Sequence, residues 1–292
     1  MGTMVLAWAL GLWLWGSHPA LVLLGLMAPV LVTFVLIAQQ FIIFWYVTQN
    51  DSAERESVAT HVKAWWGEAN AALKVFHWWQ PFHRTNIPDG LDATSIASGQ
   101  RGVVLVHGFF CNRAFWQHWM RRLQAQHRPY IAVDLEPAFG TIDAYTATLE
   151  RAVRQMRQAT GLSPVIVGHS MGGLAIRAWL ATQTTQADGQ SAVQRAITLG
   201  SSHHGTWLAQ FSHTTNGLEM RQESRWLNAL ASMEKVLPFV EFVCFYSNCD
   251  NIVFPISSAK LAGADNRLIR GLGHVDMVHD PLVMDACWEL MQ

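Results

Sequence analysis

PVIVGHSMGGLAIRAWLAT, residues 164–182, decides the fold. Pro164–Val167 is a short apolar run, the form a strand takes when both its faces are buried. Gly168-His169-Ser170-Met171-Gly172 breaks it, and a helix is expected from Leu174 to Thr182. A serine held between two glycines at a strand-to-helix turn sits on a sharp bend. Gly168 and Gly172 carry no side chain to collide with neighbouring backbone. The hydroxyl then projects over the sheet, and the N-terminal N–H groups of the following helix favour a developing anion there. Ser170 is therefore the candidate nucleophile. His169 fills the variable position of the motif and reads as structural.

Other apolar runs flank this one: Gly102–Val106, Tyr130–Leu135, Ala196–Leu199, Val240–Tyr246 and a weaker Arg267–Ile269. Helical stretches separate them at Phe115–Gln126, Ile142–Thr160 and about Glu219–Val236. Alternation of buried strands with helices predicts an α/β chain with a mostly parallel sheet. Active sites of such sheets gather at the carboxyl ends of the strands, so the candidate residues are sought there.

Val106-His107-Gly108-Phe109 closes the first of these strands. With a nucleophile on this kind of turn, one oxyanion donor is the backbone N–H of the next residue, Met171. The other comes from the loop after the earlier strand, here assigned to Phe109. His107 reads as bracing that loop. In this motif the acid and the histidine follow the serine in chain order. Asp250 lies just past the strand Val240–Tyr246, in Cys249-Asp250-Asn251, and is the candidate acid, with an Asx turn as its simpler reading. Asp265 precedes a strand and Asp134 comes too early. His274, between Gly273 and Val275 after the last strand, is the candidate base, with His279 as its rival.

The N-terminal part is of another kind. The chain has 292 residues, with 20 Lys and Arg against 21 Asp and Glu, and every one of these charges lies beyond residue 50. Residues 1–50 read as a membrane anchor, with two apolar helices at about 1–16 and 20–47 separated by Gly16-Ser17-His18-Pro19. The second is long enough to cross a bilayer, and Trp45 and Tyr46 stand near its end, where aromatic rings favour the interface. A cleaved signal peptide fits less well, because no basic residue precedes the apolar stretch. Residues 51–98 read as an amphipathic helix and a linker. Val58, Val62, Trp65, Ala69, Phe76 and Trp79 fall near one helical face, which suits either a membrane surface or the catalytic body. Residues 99–292 form the remaining domain.

The net charge of −1 and the absence of basic runs give no footprint for nucleic acid. The four cysteines show no metal-ligand spacing, and Cys244 and Cys249 are read as unpaired, although their separation permits a disulfide in an oxidising compartment. His203 and His204 stand side by side without a carboxylate or cysteine at ligand spacing, so no metal is expected.

Taken together, HGFF at 107–110, GHSMGG at 168–173, SSHHGT at 201–206, DNIVFP at 250–255 and GHVDM at 273–277 resemble the bacterial triacylglycerol lipase/esterase family. More narrowly they resemble its membrane-attached proteobacterial members, over roughly residues 99–285. Related sequences often read T-P-H-x-G-T where this chain has Ser201–Thr206. The resemblance implies an α/β-hydrolase fold and a serine hydrolase of carboxylic esters that needs no cofactor and works at a membrane, the bacterial inner membrane for the narrower type. It also implies a lid, for which residues 205–237, with Trp207, Leu208, Phe211, Trp226 and Leu227, are the candidate. An ordinary helical excursion fits the same segment. Acyl transfer by the same residues is the alternative reaction, and a catalytically idle membrane scaffold is the alternative of another class. Oligomeric state is not readable.

Overall fold

A computed structural model of the chain describes residues 10–11, 19–51, 55–183, 191–234 and 240–292. Six strands form where six apolar runs were expected: β1 (Val103–Val106), β2 (Tyr130–Ala132), β3 (Val165–His169), β4 (Arg195–Leu199), β5 (Glu241–Ser247) and β6 (Asp265–Ile269). All neighbours are parallel, in the order β2-β1-β3-β4-β5-β6. The apolar runs are continuous because alternate residues enter two different cores. Val103, Leu105, Val165, Val167, Ile197 and Val243 face one layer of helices. Val104, Val106, Ile131, Ile166 and Ala196 face the other. The fold is the α/β-hydrolase arrangement that the sequence pattern predicts.

Seven longer helices surround the sheet: α1 (Pro19–Val47), α2 (Val58–Ala72), α3 (Gln117–Ala125), α4 (Thr146–Thr160), α5 (Met171–Ala181), α6 (Arg225–Glu234) and α7 (Pro281–Leu290). α2 runs on without a break into a π-helical segment, Leu73–Trp79. α5 begins at Met171, three residues earlier than expected at Leu174. Gly172 and Gly173 look like turn residues, but tight backbone packing draws them into the first turn of the helix.

The N-terminal part departs further from expectation. Among the described residues one helix, α1, is long and apolar enough to cross a membrane, where a two-helix hairpin was expected. Apart from Leu10 and Gly11, the first apolar stretch, 1–16, lies outside the described residues. A helix like α1 suits a membrane anchor or a signal sequence, and its C-terminal half is docked on the body. The Thr33 hydroxyl lies 3.0 Å from the His77 ring. The Trp65 indole donates to the Phe34 carbonyl. Ile37 and Phe41 pack with Ala64, Ala69, Ala72 and Cys249, and Phe44 packs on Phe254.

α2 and the segment after it pack on the body partly through the expected face: Ala69 and Trp79 are buried and Trp65 and Phe76 pack against the cores, while Val58 and Val62 are exposed. The inward residues also include Ala64, Glu68, Ala71 and Val75. The inward positions follow helical spacing. They escape a reading based on bulk because three of the first four are Ala or Glu. Residues 81–100, read as a linker, carry a short helix at Ala93–Ala97 and a bridge from Gly90 to Tyr130.

Candidate active site

Ser170 occupies the turn between β3 and α5 with φ 54° and ψ −125°, a conformation that is costly for a residue with a side chain. Its N–H is held by the Leu199 carbonyl at 3.0 Å. The glycines around it leave no spare room. A Cβ on Gly108 would lie 2.8 Å from the Ser170 Cβ, so the loop after β1 passes directly over the serine. A Cβ on Gly172 would lie 2.5 Å from the Val106 carbonyl oxygen and 2.7 Å from that of His107. Both are backbone atoms, one at the end of β1 and one in the loop that follows it. Gly172→Ala is therefore expected to cost about 3 kcal/mol through overpacking, read as a lower melting temperature or loss of soluble protein.

The structure brings Asp250 and His274 together. His274 Nδ1 lies 2.9 Å from Asp250 Oδ2. The other carboxylate oxygen of Asp250 accepts from the N–H groups of Ile252 at 2.9 Å and Val253 at 2.8 Å. The expected Asx turn is therefore present as well, and it fixes the carboxylate that faces the ring. Both side chains are buried, Asp250 at 1 % exposure and His274 at 5 %. Burial pushes the His274 imidazole down, but the charge and hydrogen bond of Asp250 and the charge of Glu68 outweigh it, and the net shift is upward. His169, next to Ser170 in the chain, contacts this pair: its ring lies 4.5 Å from the His274 ring and donates from Nε2 to the His274 carbonyl at 3.1 Å. The far side of the His169 ring stacks on Phe115, also at 4.5 Å.

Of the expected oxyanion donors, one follows Ser170 in sequence and the other lies on the loop after β1 that passes over it. Met171 opens α5, and Phe109 follows Gly108 on the loop above Ser170. His107 braces that loop. Its Nε2 accepts from the Leu135 N–H at 3.0 Å, which leaves the proton on Nδ1 to donate to the Gly108 carbonyl at 2.9 Å. Beyond Phe109 the surface is aromatic: the Phe110 and Phe139 rings stack at 6.0 Å and are largely exposed.

The rival residues lie elsewhere. Asp265 starts the edge strand β6 and pairs with Arg267 at 2.8 Å. Asp134 binds the Arg113 N–H and pairs with Arg84. His279 packs among Trp79, Phe115 and His118. His203 spends Nε2 on the Thr198 hydroxyl at 3.0 Å. Among the described residues no cluster of His, Cys, Asp and Glu could hold a metal ion. All four cysteines are free thiols, Cys244 and Cys249 included.

Two residues that pattern reading missed also reach this site, both from the N-terminal helices. Glu68 of α2, 2 % exposed, accepts from the N–H groups of Val275 at 2.8 Å and Asp276 at 2.9 Å, the two residues after His274. Burial pushes its carboxyl up to about 7, opposed by the charge of His274 and the Asp276 N–H. Gln40 of α1 accepts from the Asn251 amide at 2.7 Å, and the Asn251 side-chain oxygen in turn accepts from the His274 N–H at 3.1 Å. The available signals were a glutamate at helical spacing among alanines and the Gln39-Gln40 pair inside an otherwise apolar run.

Residues 103–285 match the alpha/beta hydrolase family over more than half of the chain. The chain belongs to the alpha/beta hydrolase family. Solved structures share this hydrolase fold at low identity. The mature Bacillus licheniformis lipase BlEst2 is 17% identical, with a TM-score of 0.57 over 66% of this chain and 93% of that one. Aspergillus fumigatus lipase B is 18% identical, with a TM-score of 0.56 over 65% of this chain and 52% of that one. A Legionella pneumophila phospholipase, PlaB, is 12% identical, with a TM-score of 0.51 over 64% of this chain and 57% of that one. No curated protein matches this hydrolase.

Proposed function

We propose that the protein is a serine hydrolase of carboxylic esters that works at a membrane on lipid or long-chain acyl substrates. The observation that carries this reading is the strained Ser170 turn, set against the buried Asp250–His274 pair through His169. His274 takes the proton from the Ser170 hydroxyl, and the freed oxygen attacks the ester carbonyl. Asp250 holds the ring through Nδ1, which leaves Nε2 for the proton, and stabilises the imidazolium that forms. The N–H groups of Phe109 and Met171 receive the carbonyl oxygen as it becomes negative. His274 returns the proton to the leaving alcohol. Water, deprotonated by the same histidine, then attacks the acyl carbon, and the histidine returns that proton to the Ser170 oxygen as the acid leaves.

The lipid reading rests on apolar surface. Phe110 and Phe139 lie exposed beside the assigned oxyanion loop. Leu23, Leu24, Val35 and Ile42 of α1 are exposed, as is the i, i+4 stripe Val58, Val62 and Trp66 of α2. Trp66 touches Phe34 and His61 touches Trp45, so the two helices present one apolar surface suited to a bilayer. Residues 205–234 are held to the body rather than free of it. Trp207 stacks on Phe254, Leu227 is buried, and Arg177 of α5 binds Glu234 through two nitrogens at 2.7 Å. We assign Phe211, which remains exposed, to the rim of the acyl entrance.

The test is hydrolysis of p-nitrophenyl esters of increasing chain length by the detergent-solubilised full chain, across pH. Rates are expected to rise with acyl length. A base is active only when unprotonated, and the His274 pKa is raised. The acid limb of kcat/KM should therefore lie above the ordinary histidine value of about 6.5. Fluorophosphonate labelling of Ser170 without turnover of any ester would favour acyl transfer to another acceptor. No labelling of folded protein would overturn the enzyme reading.

A further inference from the structure

We propose that the N-terminal helix pair is a positioning element of the active site: Glu68 from α2, and Gln40 from α1 through Asn251, hold the backbone of the loop that presents His274. This rests on the serine hydrolase reading above.

Three consecutive backbone N–H groups, those of His274, Val275 and Asp276, are satisfied by side chains rather than by secondary structure. Two of them go to one oxygen of Glu68, and the third goes to Asn251, which is 0 % exposed and is itself oriented by Gln40. The His274 carbonyl is bound by His169 and its ring by Asp250. Every polar group of the histidine except Nε2 is therefore held. Gly273 fits the same scheme, because a Cβ there would lie 2.5 Å from Glu68 Oε2.

Packing alone gives no reason for a carboxylate at this place. Its neighbours on the inward face of α2 are alanines, valine and tryptophan, and a buried carboxylate is unfavourable unless hydrogen-bonded. What Glu68 supplies is an acceptor for two buried donors and a negative charge near the imidazole. Removing the acceptor orphans those donors, and the loop must shift to find others. Displacing a base by as little as about 1 Å can cost on the order of 100-fold in rate. The charged and titratable groups facing this cluster are Asp250 and His169 around His274, His279 and His107 acting on His169, and Asp276 beside Glu68, with Asp280, Lys74 and Lys63 acting on Asp276.

The experiment measures fluorophosphonate labelling of Ser170 in the detergent-solubilised full chain, resolving probe affinity from the rate at saturation, over about pH 5 to 9 where histidine titrates. Glu68→Ala is expected to slow the saturating rate about 100-fold with probe affinity unchanged. Glu68→Gln keeps an acceptor oxygen. At high pH it should stay within about threefold of wild type, with its acid limb moved to lower pH because a negative charge beside the imidazole is gone. Gln40→Leu should slow the saturating rate by about tenfold without moving the limb. Glu68→Ala that folds and labels at the wild-type rate overturns the proposal. If that variant does not fold, Gln40→Leu that folds and labels at the wild-type saturating rate overturns it instead. Wild type that does not label overturns the hydrolase reading itself, which separates the two failures.

Discussion

Ser170→Ala is expected to abolish fluorophosphonate labelling and to lower kcat for ester hydrolysis by about 10⁶-fold, with no loss of melting temperature. The alanine keeps the Cβ that sits under Gly108 and donates the same hydrogen bond from its own N–H to the Leu199 carbonyl, so the surroundings of the turn are preserved. What disappears is one hydroxyl, at a place where φ is 54° and backbone strain has been accepted to hold it. Strain of this kind persists only where the surrounding structure over-determines it. A serine retained merely for packing would lose nothing on this change. Retention of more than about a tenth of the activity would place the chemistry elsewhere, since knocking out such a nucleophile leaves only the binding contribution.

Asp250→Asn is expected to cost about 10⁴-fold in kcat, and the geometry says why an isosteric change should do so much. Ile252 and Val253 both direct N–H groups at Asp250 Oδ1, so the asparagine must turn its oxygen toward them. Its amide NH₂ then faces His274 Nδ1, which has to accept rather than donate. The proton moves to Nε2, the nitrogen needed to receive the serine proton, and the base is blocked. The fold keeps both backbone contacts, so the melting temperature should change little while labelling collapses. A loss smaller than tenfold would remove Asp250 from the acid role. Asp265, exposed and paired with Arg267 on the edge strand, offers no substitute.

Most of this geometry was legible where residue type and local pattern carry it together. The inner strands announce themselves because most of their residues are apolar, and those are apolar because alternate side chains enter two cores. Ser170, Asp250 and His274 stand at strand ends, where short loops leave little choice of position. The start of α5 was misread because glycine scores as a turn residue, whereas Gly172 is demanded here by the carbonyls of Val106 and His107. The rest of the inward face of α2 was illegible for a different reason. Ala64, Glu68 and Ala71 carry little hydrophobic signal, and the value of Glu68 lies in two backbone donors more than two hundred residues away. No local pattern reports such a partner. His169 was read as structural from its place in the motif, but its contacts with the His274 ring and carbonyl come from the register of the sheet, which single-sequence reading does not supply.

The docking of α1 has a consequence for how substrate arrives. Thr33 and Phe34 of α1 are tied to the rest of the chain, at His77 and Trp65. The helix from Pro19 to that point rises only about 21 Å at ~1.5 Å per residue, against roughly 30 Å for the hydrocarbon core of a bilayer. With α1 seated in a bilayer, the body has no slack tether on which to drift into bulk water. The mouth of the site would then stay at a fixed height over the leaflet, and the search for substrate would become two-dimensional. Turnover would then follow the mole fraction of ester in the surface rather than its bulk concentration.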